Sequence, residues 1–136
     1  MEKINNLICY LIALQNYSKD IHYNTKGDAF YSKHLLVDRV QENLSDYIDS
    51  IKEVFFLGGM SKEPLPSYEY LKKASELIPK IEKDDKKSFQ NLIKLLIKTI
   101  QTIETIKTVS KGEENLLGTI AENLQSSLGL INQQVK

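Results

Sequence analysis

Apolar residues recur at the 3.6-residue spacing of an amphipathic helix in four long blocks, and no comparable stretch alternates with period two, so the chain is expected to be all-α. The first block puts Ile4, Leu7, Ile8, Leu11 and Leu14 on one stripe and stops near Thr25, Lys26 and Gly27, where glycine permits the turn. Asp28 then stands where a cap for the second helix belongs. That helix is expected to run unbroken to the helix stop at Gly58 and Gly59, burying Phe30, Val37, Leu44, Ile48, Ile51 and Phe55. At the standard rise its roughly thirty residues span about 45 Å. From Met60 to about Glu82 the pattern breaks, and Pro64, Pro66 and Pro79 bracket a short helix that begins after Ser67. A third long helix carries Phe89, Leu92, Ile93, Leu96, Ile100, Ile103 and Ile106. A fourth follows the turn at Ser110, Lys111 and Gly112 with Leu117, Ile120, Leu124, Leu128 and Ile131. Short, long and short connections predict a single domain over 1–136. It is a four-helix bundle with a long crossover, containing a short helix, that sets helices 2 and 3 parallel.

Composition narrows the partners. Eighteen basic residues balance eighteen acidic ones, so no net field draws the chain toward nucleic acid or membrane. Lys94 and Lys98 on the third helix read as a solvated face. The lone Cys9 cannot form an internal disulfide and reads as a small buried residue in a reducing compartment. Leu7 to Leu14, preceded by Lys3, superficially resembles a secretory signal, but no small-residue cleavage site follows and the helical pattern continues toward His22. No apolar run approaches the length that spans a bilayer, and a cytoplasmic protein is expected.

Both histidines fall into one spaced set, His22, His34, Asp38, Asp49 and Glu53, with intervals of twelve, four, eleven and four. Imidazole and carboxylate ligands together suit a first-row metal such as iron. At about 100° per residue on a continuous second helix, His34, Asp38, Asp49 and Glu53 share one sector, clear of the apolar stripe. The His34/Asp38 and Asp49/Glu53 pairs are nevertheless about 22 Å apart along the axis, too far for one chain to close one site. Two copies packed antiparallel about a twofold axis near residues 43 and 44 would bring each histidine end against the other copy's carboxylate end and make two equivalent sites. Ser45 lies close to that axis, and Leu35 and Phe56 supply apolar contact on the same face.

The stretch His22-Tyr-Asn-Thr-Lys-Gly-Asp-Ala-Phe-Tyr-Ser-Lys-His34-Leu-Leu-Val-Asp38 resembles the first signature of the Dps proteins, or miniferritins, which have a ferritin-like fold. Asp49-Ser-Ile-Lys-Glu53-Val-Phe-Phe-Leu-Gly58-Gly59 resembles their second. The resemblance implies a dodecameric shell built from twofold dimers, with ferroxidase sites at the dimer interface. There iron(II) is oxidised by hydrogen peroxide, at a di-iron or mononuclear site, and stored as ferric mineral, protecting against oxidative damage. It implies that His22, His34 and Asp38 of one subunit and Asp49 and Glu53 of its neighbour are both metal ligands and catalytic residues, with Glu53 bridging. No Glu-x-x-His motif of the ferritin type occurs.

Departures from the family pattern are specific. Tyr23 replaces the tryptophan after the first histidine, Val54 replaces the arginine after the bridging glutamate, and Lys52 precedes it. A lysine-rich terminal tail for DNA binding is missing, so DNA binding by a tail is not expected. Glu113 and Glu114 match the acidic iron-entry channel, with Asn115 where an aspartate would serve. The alternative expectation is a ferritin-like shell or interaction protein with weak or no ferroxidase activity.

Overall fold

The computed structural model describes residues 2–59 and 63–136, so the start of the crossover at Met60–Lys62 lies outside the described residues. The elements are α1 (Lys3–Asn24), α2 (Phe30–Gln41), α3 (Leu44–Ile51) continuing into a π-helical turn (Lys52–Leu57), α4 (Ser67–Leu77), α5 (Asp85–Glu104) and α6 (Lys111–Val135). The described residues contain no strand, so the all-α expectation holds.

α1 is the centre of the packing. Leu7, Ile8, Cys9, Leu11, Ala13, Leu14 and Tyr17 are all fully buried, which is more of the helix surface than one stripe, because α2, α3, α4 and α5 all lie against it. The contacts α1 with α2, α2 with α6, α6 with α5 and α5 with α1 close a four-cornered ring. Directions follow from paired contacts. Lys3 Nζ donates to the Thr105 carbonyl at 3.0 Å and Asn91 Nδ2 to the Tyr17 hydroxyl at 3.3 Å, so α1 and α5 are antiparallel. Gln15 meets Ser45 and His22 meets His34, so α1 is also antiparallel to α2 and α3. The second long helical region and α5 therefore run in the same direction, as a long crossover requires.

The expected unbroken second helix is not observed. It is interrupted at Glu42–Asn43, where Asn43 takes φ −102° and ψ 2°, a bridge conformation that suits asparagine because its short amide competes for backbone hydrogen bonds. Past Ile51 the helix widens into the π turn, closed by the Gly58 N–H on the Glu53 carbonyl at 2.8 Å. A Cβ at Gly59 would collide with the Phe55 carbonyl, so glycine is what lets the chain leave the turn here. Asp28 does not cap α2. The reversal uses two left-handed residues, Gly27 at φ 74° and Ala29 at φ 59°, and Ala29 holds the cap position. Phe30 is 42% exposed instead of buried, because the turn points it at His34 and not at the core.

The remaining helices follow their sequence signals closely. Asp84 caps α5 by accepting from the Lys86 N–H, and Ser110 caps α6 by accepting from the Glu113 N–H. Leu95 and Thr99 join the buried face of α5 while Ile93 and Ile100 lie at its margin. Ser67 is the first residue of α4, with Pro66 at the cap. α4 is locked onto α1 through Tyr70, whose buried hydroxyl donates to Asn5 Oδ1 at 2.6 Å and accepts from the Leu65 N–H at 2.9 Å.

Burial pushes the Tyr17 and Tyr70 phenols above their ordinary range. A raised native value gives stability that is whole below the unfolded phenol value and is lost as pH climbs through the native one. Urea midpoints should therefore hold steady up to about pH 9 and fall above the free-phenol value of about 10. Tyr70→Phe leaves Asn5 Oδ1 and the Leu65 N–H unpaired and should cost about 1–3 kcal/mol in urea unfolding. A loss indistinguishable from zero would show that the crossover is not anchored there.

Candidate metal centre

The tight reversal at Gly27 and Ala29 folds α2 back along α1, and this brings the last turn of α1 against the first turns of α2. His22 and His34 meet as a result. Their rings stack with centroids 3.4 Å apart and planes 28° from parallel. The Nδ1 of His22 lies 3.2 Å from the His34 carbonyl oxygen, and the Nδ1 of His34 lies 3.0 Å from the His22 carbonyl oxygen. A carbonyl only accepts, so each Nδ1 must carry the proton, and in the neutral ring the Nε2 lone pair is left free. That is the tautomer of a metal-binding histidine whose other nitrogen is held by a backbone carbonyl.

Asp38 lies at the edge of the His22 ring. Its Oδ1 is 3.9 Å from His22 Nδ1 and accepts a hydrogen bond from Gln41 Nε2 at 3.0 Å. The His22 side chain is 16% exposed and the Asp38 side chain 51% exposed, a partly dry site with one open carboxylate. Phe30 stacks on His34 at 5.2 Å and Tyr23 meets His22 edge-on at 5.0 Å. Tyr23 is 78% exposed, so in the single chain it is a rim residue and not a packing residue. Gln41 and Phe30 were not singled out by sequence as site residues. The signals available were Gln41 three residues beyond Asp38 on a helix and Phe30 four residues before His34.

Asp49 on α3 and Glu53 on the π turn form a second, separate group. Both are exposed, and among the described residues neither carboxylate has a hydrogen-bond or ion-pair partner. Lys52 does not pair with Glu53; its Nζ sits 5.1 Å from the centre of the Tyr70 ring. Val54, in place of an arginine, packs at the margin of the core. Among the described residues of one chain no three His, Cys, Asp or Glu side chains gather as a metal site, His22, His34 and Asp38 included. Leu35 and Leu57, 46% and 83% exposed, add apolar surface beside the two groups, while Phe56 is half-buried against the core.

Ser45 does not project free at the centre of the helix. It accepts a hydrogen bond from Gln15 Nε2 at 2.6 Å, which ties α3 to α1. Glu113 is buried and accepts from the Val109 N–H at 3.0 Å, so its carboxylate completes the cap of α6 and does not line an open channel. Lys94 and Lys98 are exposed, as expected of a solvated face.

No helix among the described residues is long and apolar enough to cross a membrane. No protein-family model, curated protein or solved structure matches the chain.

Nitrogen-15 NMR of the imidazoles in the metal-free protein above the histidine titration range should find both rings in the Nδ1–H form. Finding either ring as the Nε2–H form would remove the geometry that frees the two lone pairs.

Proposed function

We propose that this chain is a Dps-like miniferritin: it oxidises iron(II) with hydrogen peroxide at sites shared between subunits and stores the ferric product inside a shell. The observation that carries the reading is the reciprocal Nδ1 bonding of His22 and His34, which leaves both imidazole Nε2 lone pairs free, with the Asp38 carboxylate 3.9 Å from the His22 ring at Nδ1. Four further features agree with it. The helices form a ring with α2–α3 and α5 parallel on either side of α1, which is compatible with a ferritin-like bundle. Asp49 and Glu53 stand exposed without partners, as ligands to another subunit's ion must. Leu35 and Leu57 expose apolar surface near both ends. The π turn sits under Glu53, and such turns concentrate at functional sites.

In this reading two copies meet about a twofold axis so that His22, His34 and Asp38 of one face Asp49 and Glu53 of the other. Twofold dimers then assemble into a closed dodecamer. The imidazoles bind the ferrous ion and the hard carboxylate oxygens favour the ferric product. Two ferrous ions each give one electron to one peroxide. The O–O bond breaks, two protons are taken up, and two waters leave. Removing iron(II) and peroxide together suppresses radical chemistry, and this is the protective value of the reaction.

A second reading, a ferritin-like shell or interaction protein with little oxidase activity, is favoured by one observation. Lys52 is drawn to Tyr70 and Val54 carries no charge, so Glu53 has no neighbouring cation to orient it.

Anaerobic iron(II) loading followed by peroxide should give a fast ferric absorbance in the native chain. Loss of a ligand in His34→Ala or Glu53→Ala should slow it by about tenfold or more, the scale on which even outer partners of a metal site act. Equal rates in all three proteins would contradict the ligand assignment. A shell by mass measurement that never mineralises would favour the second reading.

A further inference from the structure

At the interruption of the second helical region an open cavity of about 430 Å³ lies against the middle of α6. Its walls are Arg39, Glu42, Asn43, Asn123, Ser126 and Ser127. The core of the bundle is apolar, but here every lining residue is polar. Among the described residues none of the six side chains has a hydrogen-bond or ion-pair partner.

Ser127 is the sharpest case. It is only 5% exposed, yet its hydroxyl does not bond back to the carbonyl four residues earlier. Thr99, Thr102 and Thr119 all make that bond, at 2.7, 2.9 and 2.9 Å. A hydroxyl on a buried residue that forgoes the local carbonyl and opens onto a polar cavity is a donor that a ligand there can use.

The cavity's chemistry is uneven. Arg39, the only arginine of the chain, brings a planar fork of N–H donors, and two amides and two hydroxyls add more. Glu42 supplies the one anionic acceptor. A metal cation is disfavoured by the guanidinium, whereas a small oxyanion uses the donors. An oxyanion that also keeps an acidic proton can give that proton's hydrogen bond to Glu42. At about 30 Å³ per water, the space accepts a tetrahedral anion with several waters.

We propose that this cavity is a binding site for hydrogen phosphate, held by Arg39 with Asn123, Ser126 and Ser127 and selected by its P–O–H donor to Glu42. The proposal does not rest on the iron chemistry and stands or falls separately from it.

Calorimetric titration of the full chain, before any iron loading, with inorganic phosphate and with sulfate tests it. Saturable phosphate binding is expected, with sulfate weaker because it has no proton to offer Glu42 near neutral pH. Arg39 is exposed, so Arg39→Gln spares the core and should weaken phosphate about tenfold or more, as the loss of a charge-assisted bond does. Ser127→Ala should weaken it less, and Glu42→Gln should erase the preference for phosphate over sulfate. Absence of saturable binding, or affinity unchanged in both Arg39→Gln and Ser127→Ala, would overturn the site.

Discussion

Two imidazole nitrogens, each bonded to the backbone carbonyl of the other histidine, tie the end of α1 to the start of α2, and the candidate centre depends on that tie. A histidine free to rotate offers either nitrogen and no fixed direction. These two cannot rotate without breaking a hydrogen bond in a site where the His22 side chain is largely shielded from water. The stack also holds Phe30 outside the core, at the cost of 42% exposure, so the local packing is arranged around the pair and not around the aromatic ring.

The pair exists because the chain reverses within five residues using left-handed Gly27 and Ala29. Alanine in that region costs roughly 1–2 kcal/mol, and an asparagine or glycine would cost less. A strained residue next to a candidate site, compensated by the carbonyl bonds it allows, is the pattern by which folds hold functional geometry. At the other end the π turn and Gly59 place Glu53 on exposed backbone, and the two half-sets remain apart within one chain. In the proposed reading only a second copy would bring the two together.

Much of this was legible in the sequence. The stripes on α1, α5 and α6 were readable because apolar spacing alone decides which face a long helix buries. The turn at Ser110 before α6 was readable as well, whereas the cap that Asp84 gives α5 was not singled out. The second helical region was not readable, since its strong period continues straight across Glu42–Asn43 and past Ile51, and neither a bridge-region asparagine nor a π turn changes the spacing of Val37, Leu44, Ile48 and Phe55. The five candidate ligands were legible as a spaced set. The reciprocal histidine bonds, the placement of Lys52 on Tyr70 and the polar cavity at Arg39 were not, because each joins residues whose approach is set by tertiary packing.

In the proposed assembly the histidine half-set of one molecule and the carboxylate half-set of another surround the same ion. Anomalous scattering from crystals soaked in iron(II) tests it most directly. The account predicts iron peaks on a twofold interface, within bonding distance of a histidine Nε2 from one subunit and of Asp49 and Glu53 from the other. Iron bound wholly within one subunit, or an interface that leaves both half-sets facing solvent, would contradict it.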